Sequence, residues 1–142
     1  RSQQSSDEVS DGNGRLGAVA FAPTPGDARV LAYSNRTGVS RPVILDVLRA
    51  TRTEPEAEGL EGEVYPLAWS PDGRQVLLVD LAHAVQRLLV WDLATTKLRS
   101  LNHPAGPYGD CHFARDGTIY AGWEDSTHPP QVIALDAVTA FT

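Results

Sequence analysis

The segment LAWSPDGRQVLLVD, residues 67–80, has the pattern of two short apolar strands joined by a tight turn. The first apolar run ends at Trp69. Asp72 and Gly73 then supply residue types that suit the backbone of a tight hairpin, and a second apolar run follows. A third apolar run, RLLVWDL at 87–93, comes next in the chain. The pattern predicts consecutive antiparallel strands.

Two further copies of this pattern flank the first. They are FAPTPGDARVLAY at 21–33 followed by PVILD at 42–46, and FARDGTIYAGW at 113–123 followed by QVIALD at 131–136. The aromatic residues Phe21, Trp69 and Phe113 lie 48 and 44 residues apart. The aspartates Asp46, Asp92 and Asp136 lie 46 and 44 residues apart. A period in the mid-forties built from short strands is typical of β-propeller blades, which have four strands each.

The sequence therefore predicts an all-β fold, a partial β-propeller of about three four-stranded antiparallel blades. We place the blades at about 16–62, 63–107 and 108–142, after a polar linker or disordered segment at 1–15. Closed propellers need about four to eight blades. We therefore expect this chain either to be part of a longer one or to complete its ring by self-association.

The apolar runs at 76–79, 88–91 and 132–135 are continuous, which predicts strands that are covered on both faces. Taken alone, residues 42–50 also fit an amphipathic helix that begins at a proline. Alignment with the other two copies favours a strand, with residues 49–62 as the connection to the next blade. Pro66 is compatible with an inner strand at the edge of its blade, because an edge strand tolerates a missing N–H donor.

The composition excludes some classes of partner. A net charge of −6 and a pI near 5.1 argue against a nucleic-acid surface and against binding to an anionic membrane. No segment approaches the roughly 20 apolar residues of a membrane-spanning helix. A single cysteine, Cys111, excludes an intramolecular disulfide and leans towards a reducing compartment such as the cytoplasm. The localisation stays open.

The turn at 70–73 and its flanking strands resemble the repeat of TolB-type propellers. They also resemble the propeller domain of prolyl-oligopeptidase-like serine peptidases. Residues 123–136, with Pro129 and Pro130 before a strand, are similar to the last blade of the acylaminoacyl-peptidase-like members. In those enzymes an α/β-hydrolase domain follows the propeller, and the resemblance implies that the catalytic residues would lie there. Trp91-Asp92 also resembles the dipeptide of WD repeats, but no copy carries their Gly-His pair.

No complete catalytic motif is present. A hydrolase of this kind needs a serine in a G-x-S-x-G elbow, and the nearest candidate, Ser40, has Pro42 where the closing glycine belongs. The triplet at 110–112 brings a carboxylate, a thiol and an imidazole together. On a regular strand Asp110 and His112 would share a face while Cys111 points to the other one. A structural strand pair is the favoured interpretation of Asp110 and His112.

The remaining candidates also favour structural roles. The four histidines show no metal-ligand spacing, and we predict neither a metal nor a cofactor. The acidic residues at 54–63 either form a docking surface for a basic partner or, as we favour, a solvated loop. We interpret Trp69 as packing between blades, although the tryptophans could also form a binding surface. The histidines are His83, His103, His112 and His128, and the tryptophans are Trp69, Trp91 and Trp123.

Two functions remain in competition. The first is a non-catalytic segment that gates access to a serine peptidase of the prolyl-oligopeptidase type, whose α/β-hydrolase domain is absent from this chain. Its expected partners are that hydrolase domain, further blades, and a peptide substrate. The alternative is a TolB-like or WD-like protein-interaction propeller without enzymatic activity. The Pro129-Pro130 segment favours the peptidase by family analogy alone.

Overall fold

The computed structural model describes residues 8–11, 14–55, 60, 62–82, 85–101, 108–125 and 127–135. All regular structure in these ranges is β-strand. The strands are β1 (Glu8–Asp11), β2 (Gly14–Phe21), β3 (Arg29–Ser34), β4 (Arg41–Asp46), β5 (Thr51–Thr53), β6 (Glu63–Trp69), β7 (Gln75–Ala82), β8 (Val85–Asp92), β9 (Lys97–Ser100), β10 (Tyr108–Phe113), β11 (Ile119–Asp125) and β12 (His128–Leu135).

These strands form three antiparallel sheets, each ordered as in the sequence. Blade one is β1-β2-β3-β4-β5, blade two is β6-β7-β8-β9, and blade three is β10-β11-β12. The prediction of an all-β chain of antiparallel blades is confirmed. The fourth strand predicted for blade three falls on residues 136–142, which lie outside the described residues.

The N-terminal boundary differs from the predicted one. Strand β1 and the start of β2 lie within the segment assigned to a polar linker, and β1 pairs with β2 as an added outer hairpin. Backbone pairing requires no apolar side chains, so a polar composition did not prevent this hairpin. Residues 1–7 lie outside the described residues.

In each blade, the turn after the strand that ends at the repeated aromatic residue has a glycine at positive φ. Gly26, Gly73 and Gly117 have φ of 83°, 73° and 90°. In the central copy the Ser70 hydroxyl donates to Asp72 Oδ1 at 2.6 Å, and the same carboxylate oxygen accepts the Arg74 N–H at 3.0 Å. These hydrogen bonds lower the pKa of Asp72, that of Ser70 contributing most. The Ser-Pro-Asp-Gly turn is therefore held by its own side chains.

The periodic aspartates close the next tight turn. Asp46 Oδ1 accepts the N–H groups of Leu48 and Arg49, each at 3.1 Å, and Asp92 Oδ1 accepts that of Ala94 at 3.0 Å. Four residues after each aspartate the chain takes positive φ at a residue with a side chain. These two residues are Ala50 (φ 54°) and Thr96 (φ 59°). The third copy of this turn begins at Asp136, outside the described residues.

The two ambiguous segments are strands. Residues 41–46 form β4, which confirms the alignment of the copies over the helical alternative. Pro66 lies in β6, at the edge of its sheet and next to a β-bulge between Pro66 and Ala68. A missing N–H is tolerated there because the outer side of an edge strand makes no ladder hydrogen bonds.

Two apolar clusters lie on opposite faces of blade two. For every blade we call the face towards the preceding blade its leading face, and the other its trailing face. The leading face of blade two packs on blade one, and its trailing face packs on blade three. The leading-face residues are Val64, Trp69, Val76, Leu78, Leu89, Trp91 and Leu98. The trailing-face residues are Leu77, Val79, Leu88 and Val90. The predicted burial of 76–79 and 88–91 on both faces is confirmed.

The same prediction is wrong for residues 132–135. Ile133 and Leu135 pack towards blade two, but Val132 is 71% exposed. The alternation of a strand directs Val132 to the trailing face of blade three. Within the described chain that face has no following blade to cover it.

An arginine ties blade one to blade two. Arg29 makes an ion pair with Asp27 at 2.6 Å, and it also donates to the carbonyl of Gly73 in the neighbouring blade at 3.0 Å. Its guanidinium carbon lies 4.8 Å from the centre of the Trp69 ring. Trp69 Nε1 donates in turn to the carbonyl of Ala20 at 3.1 Å. We call Arg29 and Trp69 the interblade clamp.

Candidate protein-binding surface

Two turns of blade one lie side by side at one end of the sheet. They connect β2 to β3 and β4 to β5. Alternate turns of an antiparallel sheet come to the same end, and here the Val47 N–H donates to the carbonyl of Ala28 at 3.2 Å. In blade two the Leu93 N–H donates to the carbonyl of Arg74 in the same way, at 3.1 Å. This turn-bearing end is therefore a repeated feature of the blades.

A cavity of about 340 Å³ opens between the two turns of blade one. Beside it Val47 is 64% exposed and Leu48 is 80% exposed. Two adjacent aliphatic side chains exposed on one turn form a small apolar surface whose dehydration on binding is favourable. The cavity lining consists of Gly26, Asp27, Ala28, Arg29, Asp46, Leu48 and Arg49.

The charges around the cavity are fixed by contacts within the blade. Two hydrogen bonds from the Arg29 Nε and one from its Nη2 reach the carboxylate of Asp27. They hold the pKa of Asp27 below its usual value, with the charge of Arg49 as a smaller cause. The Asp46 carboxylate accepts the backbone N–H groups of its own turn. Arg49 is exposed and lines the cavity together with Leu48.

The equivalent turn of blade two lacks this apolar exposure. There Leu93 takes the place of Val47 and packs against the core cluster between blades one and two. Ala94 takes the place of Leu48 and is too small to form an anchor. The surface formed by Val47, Leu48 and Arg49, which we call the turn patch, thus occurs on blade one and not on blade two, the two blades whose turn at this position is described.

Ser40 does not form a catalytic elbow. Its side chain is buried, its hydroxyl donates to the Tyr65 hydroxyl at 3.3 Å, and its N–H donates to Glu63 Oε1 at 3.1 Å. The Ser40 carbonyl also accepts the Val64 N–H at 2.9 Å. These contacts join the β3–β4 hairpin of blade one to β6 of blade two, so Ser40 has a structural role at the blade interface.

The triplet at 110–112 lies on β10, the inner strand of blade three, as the alignment predicted. The ladder to β11 shifts register between Gly109 and His112, so a bulge interrupts the simple alternation from which the shared face was derived. Cys111 packs against the cluster between blades two and three, and His112 is exposed and stacks on Tyr120 with ring centres 6.1 Å apart. The backbone of Asp110 is described as part of β10, but its side chain is not.

Other candidates have the structural positions expected of them or lie outside the described part. Trp69, Trp91 and Trp123 are buried, so they are packing residues rather than an open aromatic surface. Within the described ranges, no three side chains of His, Cys, Asp or Glu are grouped to hold a metal ion. His83 and His103 lie outside these ranges, as do Glu56, Glu58 and Glu61 of the acidic stretch.

The sequence analysis missed the turn patch. Val47 and Leu48 were counted among the apolar positions of an amphipathic helical alternative for 42–50, and the strand alignment then left them unassigned. One signal could have identified them. The aspartate that ends the third strand begins a turn in each copy, and only the first copy follows it with two large aliphatic residues and an arginine.

Comparison with known proteins supports the propeller fold but does not assign the chain to a family. No family model and no curated protein matches the chain. Among solved structures, TolB from Acinetobacter baumannii is similar with a TM-score of 0.58 and 16% identity over 94% of this chain. A protein provisionally named TolB from Agrobacterium tumefaciens is similar with a TM-score of 0.64 and 16% identity, also over 94%.

The chain spans 42% of the length of the first of these proteins and 57% of the second. At 16% identity the likeness shows the fold alone. Both proteins carry the TolB name, so the comparison agrees with the TolB-like alternative and gives no support to the peptidase interpretation. Across the described residues no helix is long and apolar enough to cross a bilayer.

Proposed function

We propose that this chain is a non-catalytic β-propeller segment that binds a protein partner through the turn-bearing end of blade one. The observation that carries the proposal is the turn patch. Val47 and Leu48 are held outward, next to a cavity of about 340 Å³, by a turn that Asp46 closes. The likeness to TolB proteins supports a propeller without chemistry of its own.

The chemistry of the turn patch suits an extended peptide segment with an apolar side chain and a nearby carboxylate. The apolar side chain would contact Val47 and Leu48, and the carboxylate would meet the guanidinium of Arg49. Of these three residues, Arg49 is of a type that is enriched at interface hot spots. The patch is rigid because Val47 and Asp46 are tied to neighbouring backbone groups. Binding therefore costs little ordering entropy.

Photo-crosslinking tests this proposal. A benzophenone amino acid replaces Leu48 in one variant and Ala94 in the other, since Ala94 holds the equivalent position in blade two. In a lysate of the source organism, we expect the Leu48 probe alone to give a discrete adduct with one protein. The adduct should disappear when Arg49→Glu is combined with the probe. Equal adducts at both positions, or none at Leu48, would contradict the turn patch as a binding surface.

A second experiment separates this function from peptidase gating. The native gene product is detected with an antibody against residues 63–101 after the cells are treated with a serine-hydrolase-directed probe. An unlabelled product is the result expected for an interaction propeller. A labelled product of roughly 600 residues, about seven blades and a hydrolase domain, would favour peptidase gating instead.

A further inference from the structure

The cavity beside the turn patch lies at the turn-bearing end of blade one, on the side of blade two. Arg29 lines it and donates to the carbonyl of Gly73 in blade two at 3.0 Å, and Asp46 lies opposite Arg29 in the ladder of β3 and β4. Blade two has a described neighbour on either side, and its equivalent of Leu48, Ala94, is exposed as well. The exposure of Leu48 therefore follows from its place in the turn and does not require an absent neighbouring blade.

Arg29 is an arginine of the cavity lining that is already held in place. Its Nε and Nη2 donate to the Asp27 carboxylate, and Nη2 also donates to the carbonyl of Gly73. The Trp69 ring packs on the guanidinium, with 4.8 Å between the guanidinium carbon and the ring centre. Among the described residues, no hydrogen-bond partner is found for Nη1. An acceptor bound at Nη1 would therefore cost little side-chain entropy.

Arg49 and Asp46 complete the polar lining of the cavity. Within the described part of the chain the Arg49 side chain forms no hydrogen bond and no ion pair, although its charge contributes to the lowered pKa of Asp27. Asp46 accepts the N–H groups of Leu48 and Arg49 through Oδ1, and its Oδ2 has no hydrogen-bond partner among the described residues. The cavity thus offers guanidinium donors, one carboxylate acceptor and the apolar surface of Leu48.

The C-terminal residue of a peptide carries the complementary groups around one Cα atom. Its carboxylate accepts from guanidinium groups, its amide N–H donates to a carboxylate, and its side chain supplies an apolar contact. An internal acidic residue fits less well, because neighbouring side chains of an extended segment point to opposite sides and cannot enter one cavity together. The volume of about 340 Å³ lies at the lower end of the range for ligand pockets, which suits a chain end.

We infer that the turn patch and its cavity bind the C-terminal residue of a partner protein. The terminal carboxylate contacts Arg49 and Nη1 of Arg29. The last amide N–H donates to Oδ2 of Asp46, and an aliphatic last side chain packs on Leu48. Charge-assisted hydrogen bonds of this kind are about twice as strong as neutral ones. The inference rests on the proposed function and names the part of the partner that this surface recognises.

Two synthetic peptides test the inference. Acetyl-glycyl-seryl-leucine is prepared with a free C-terminal carboxylate and, for comparison, with a C-terminal amide. Each peptide is titrated into the isotopically labelled chain and followed by heteronuclear NMR. We expect the free acid to shift the signals of residues 46–49 with a Kd of about 1 mM, and the amide to bind at least about 10-fold more weakly.

Blade two supplies the substitutions for this test, because it carries other residues at the equivalent positions. Arg49→Thr and Arg29→Gln should each weaken binding of the free acid at least about 5-fold and leave binding of the amide unchanged. Arg36→Gln removes the same charge at the opposite end of blade one, where the Arg36 side chain is 45% exposed, and should leave both unchanged. If loss of the interblade clamp unfolds Arg29→Gln, as circular dichroism would show, the Arg49→Thr result decides alone. The residues of blade two in the places of Arg29, Leu48 and Arg49 are Gln75, Ala94 and Thr95.

The position of the cross-link separates this inference from the proposed function. Mass spectrometry of the adduct formed by the Leu48 probe should locate it in the last residues of the partner. An adduct with an internal segment would overturn the inference and leave the turn patch as a binding surface. Equal binding of the acid and the amide, or binding of neither, would overturn it as well. Absence of any adduct at Leu48 would contradict the proposed function, and this inference with it.

Discussion

The repeat position occupied by Phe21, Trp69 and Phe113 allows one substitution to be compared in three environments. Trp69 is buried between blades one and two, Phe113 is partly buried between blades two and three, and Phe21 is exposed. Trp69→Ala removes a hydrogen bond to Ala20, the contact with the Arg29 guanidinium and most of a buried indole. We expect the loss of free energy of unfolding on substitution by alanine to rise from Phe21 through Phe113 to Trp69.

The magnitudes follow from these contacts. Trp69→Ala should lower the free energy of unfolding by about 3–5 kcal/mol, the usual cost of deleting a buried aromatic side chain. Of this, the hydrogen bond accounts for about 1 kcal/mol and the cation–π contact for about 0.5–1 kcal/mol. Phe21→Ala should change the free energy of unfolding by less than about 0.5 kcal/mol, as at other exposed positions. Trp69→Phe keeps much of the packing and should lose about 1–2 kcal/mol.

Urea unfolding followed by far-UV circular dichroism measures these differences without depending on tryptophan fluorescence. The measurement is made at a concentration where sedimentation shows a monomer. The contradicting outcome is that Phe21→Ala lowers the free energy of unfolding as much as Trp69→Ala does under those conditions. That result would show that burial by a preceding blade is not what makes this repeat position stabilising. A neutral Trp69→Phe would refute a stabilising role for the hydrogen bond from Trp69 to Ala20.

Three further outcomes are expected. Asp80 is 1% exposed and pairs with Arg87, whose side chain is 33% exposed, at 2.8 Å, so Asp80→Ala should cost about 1.5–3 kcal/mol in urea unfolding and the double change with Arg87→Ala clearly less than the sum. If the double change cost as much as the two single changes added together, Asp80 and Arg87 would not stabilise the protein through their ion pair. Ala50→Gly and Thr96→Gly should each raise the free energy of unfolding by up to ~1 kcal/mol, because glycine accepts their positive φ without strain. A lower free energy of unfolding in both variants would show that this backbone strain is small. Burial raises the pKa of Tyr108 from 10.0 to about 12. The unfolded chain therefore ionises this tyrosine first, and stability should fall between pH 10 and 12, less so in Tyr108→Phe.

Much of the fold could be predicted from the sequence because the blade is a local unit. The Ser-Pro-Asp-Gly turn is closed by hydrogen bonds among residues 70–75, and its glycine φ follows from the backbone of a tight hairpin. Strand β4 was recovered by aligning copies, since its own apolar pattern was compatible with a helix. The polar β1 was missed because its strand depends on pairing with β2 and not on its own side chains.

The candidate site was harder to predict. The two aliphatic residues and the arginine distinguish the turn at 47–50 from its copies, but they do not show that the aliphatic side chains face outward, because Leu93 in the equivalent turn packs inward. The interblade clamp also joins residues from two repeats, Arg29 and Trp69, that are 40 positions apart. Such contacts depend on how one blade lies on the next, which no short pattern encodes.

The sequence by itself determined the repeat, the strands within it and the turns that join them, since each depends on residues close together in the chain. Only the tertiary structure decided which copies of a repeat position are buried. Phe21 and Trp69 have the same place in the same pattern, yet one is exposed and the other is packed between two sheets. The physical reason is that burial of a blade face requires a neighbouring blade, and a repeat describes each blade without stating what lies beside it.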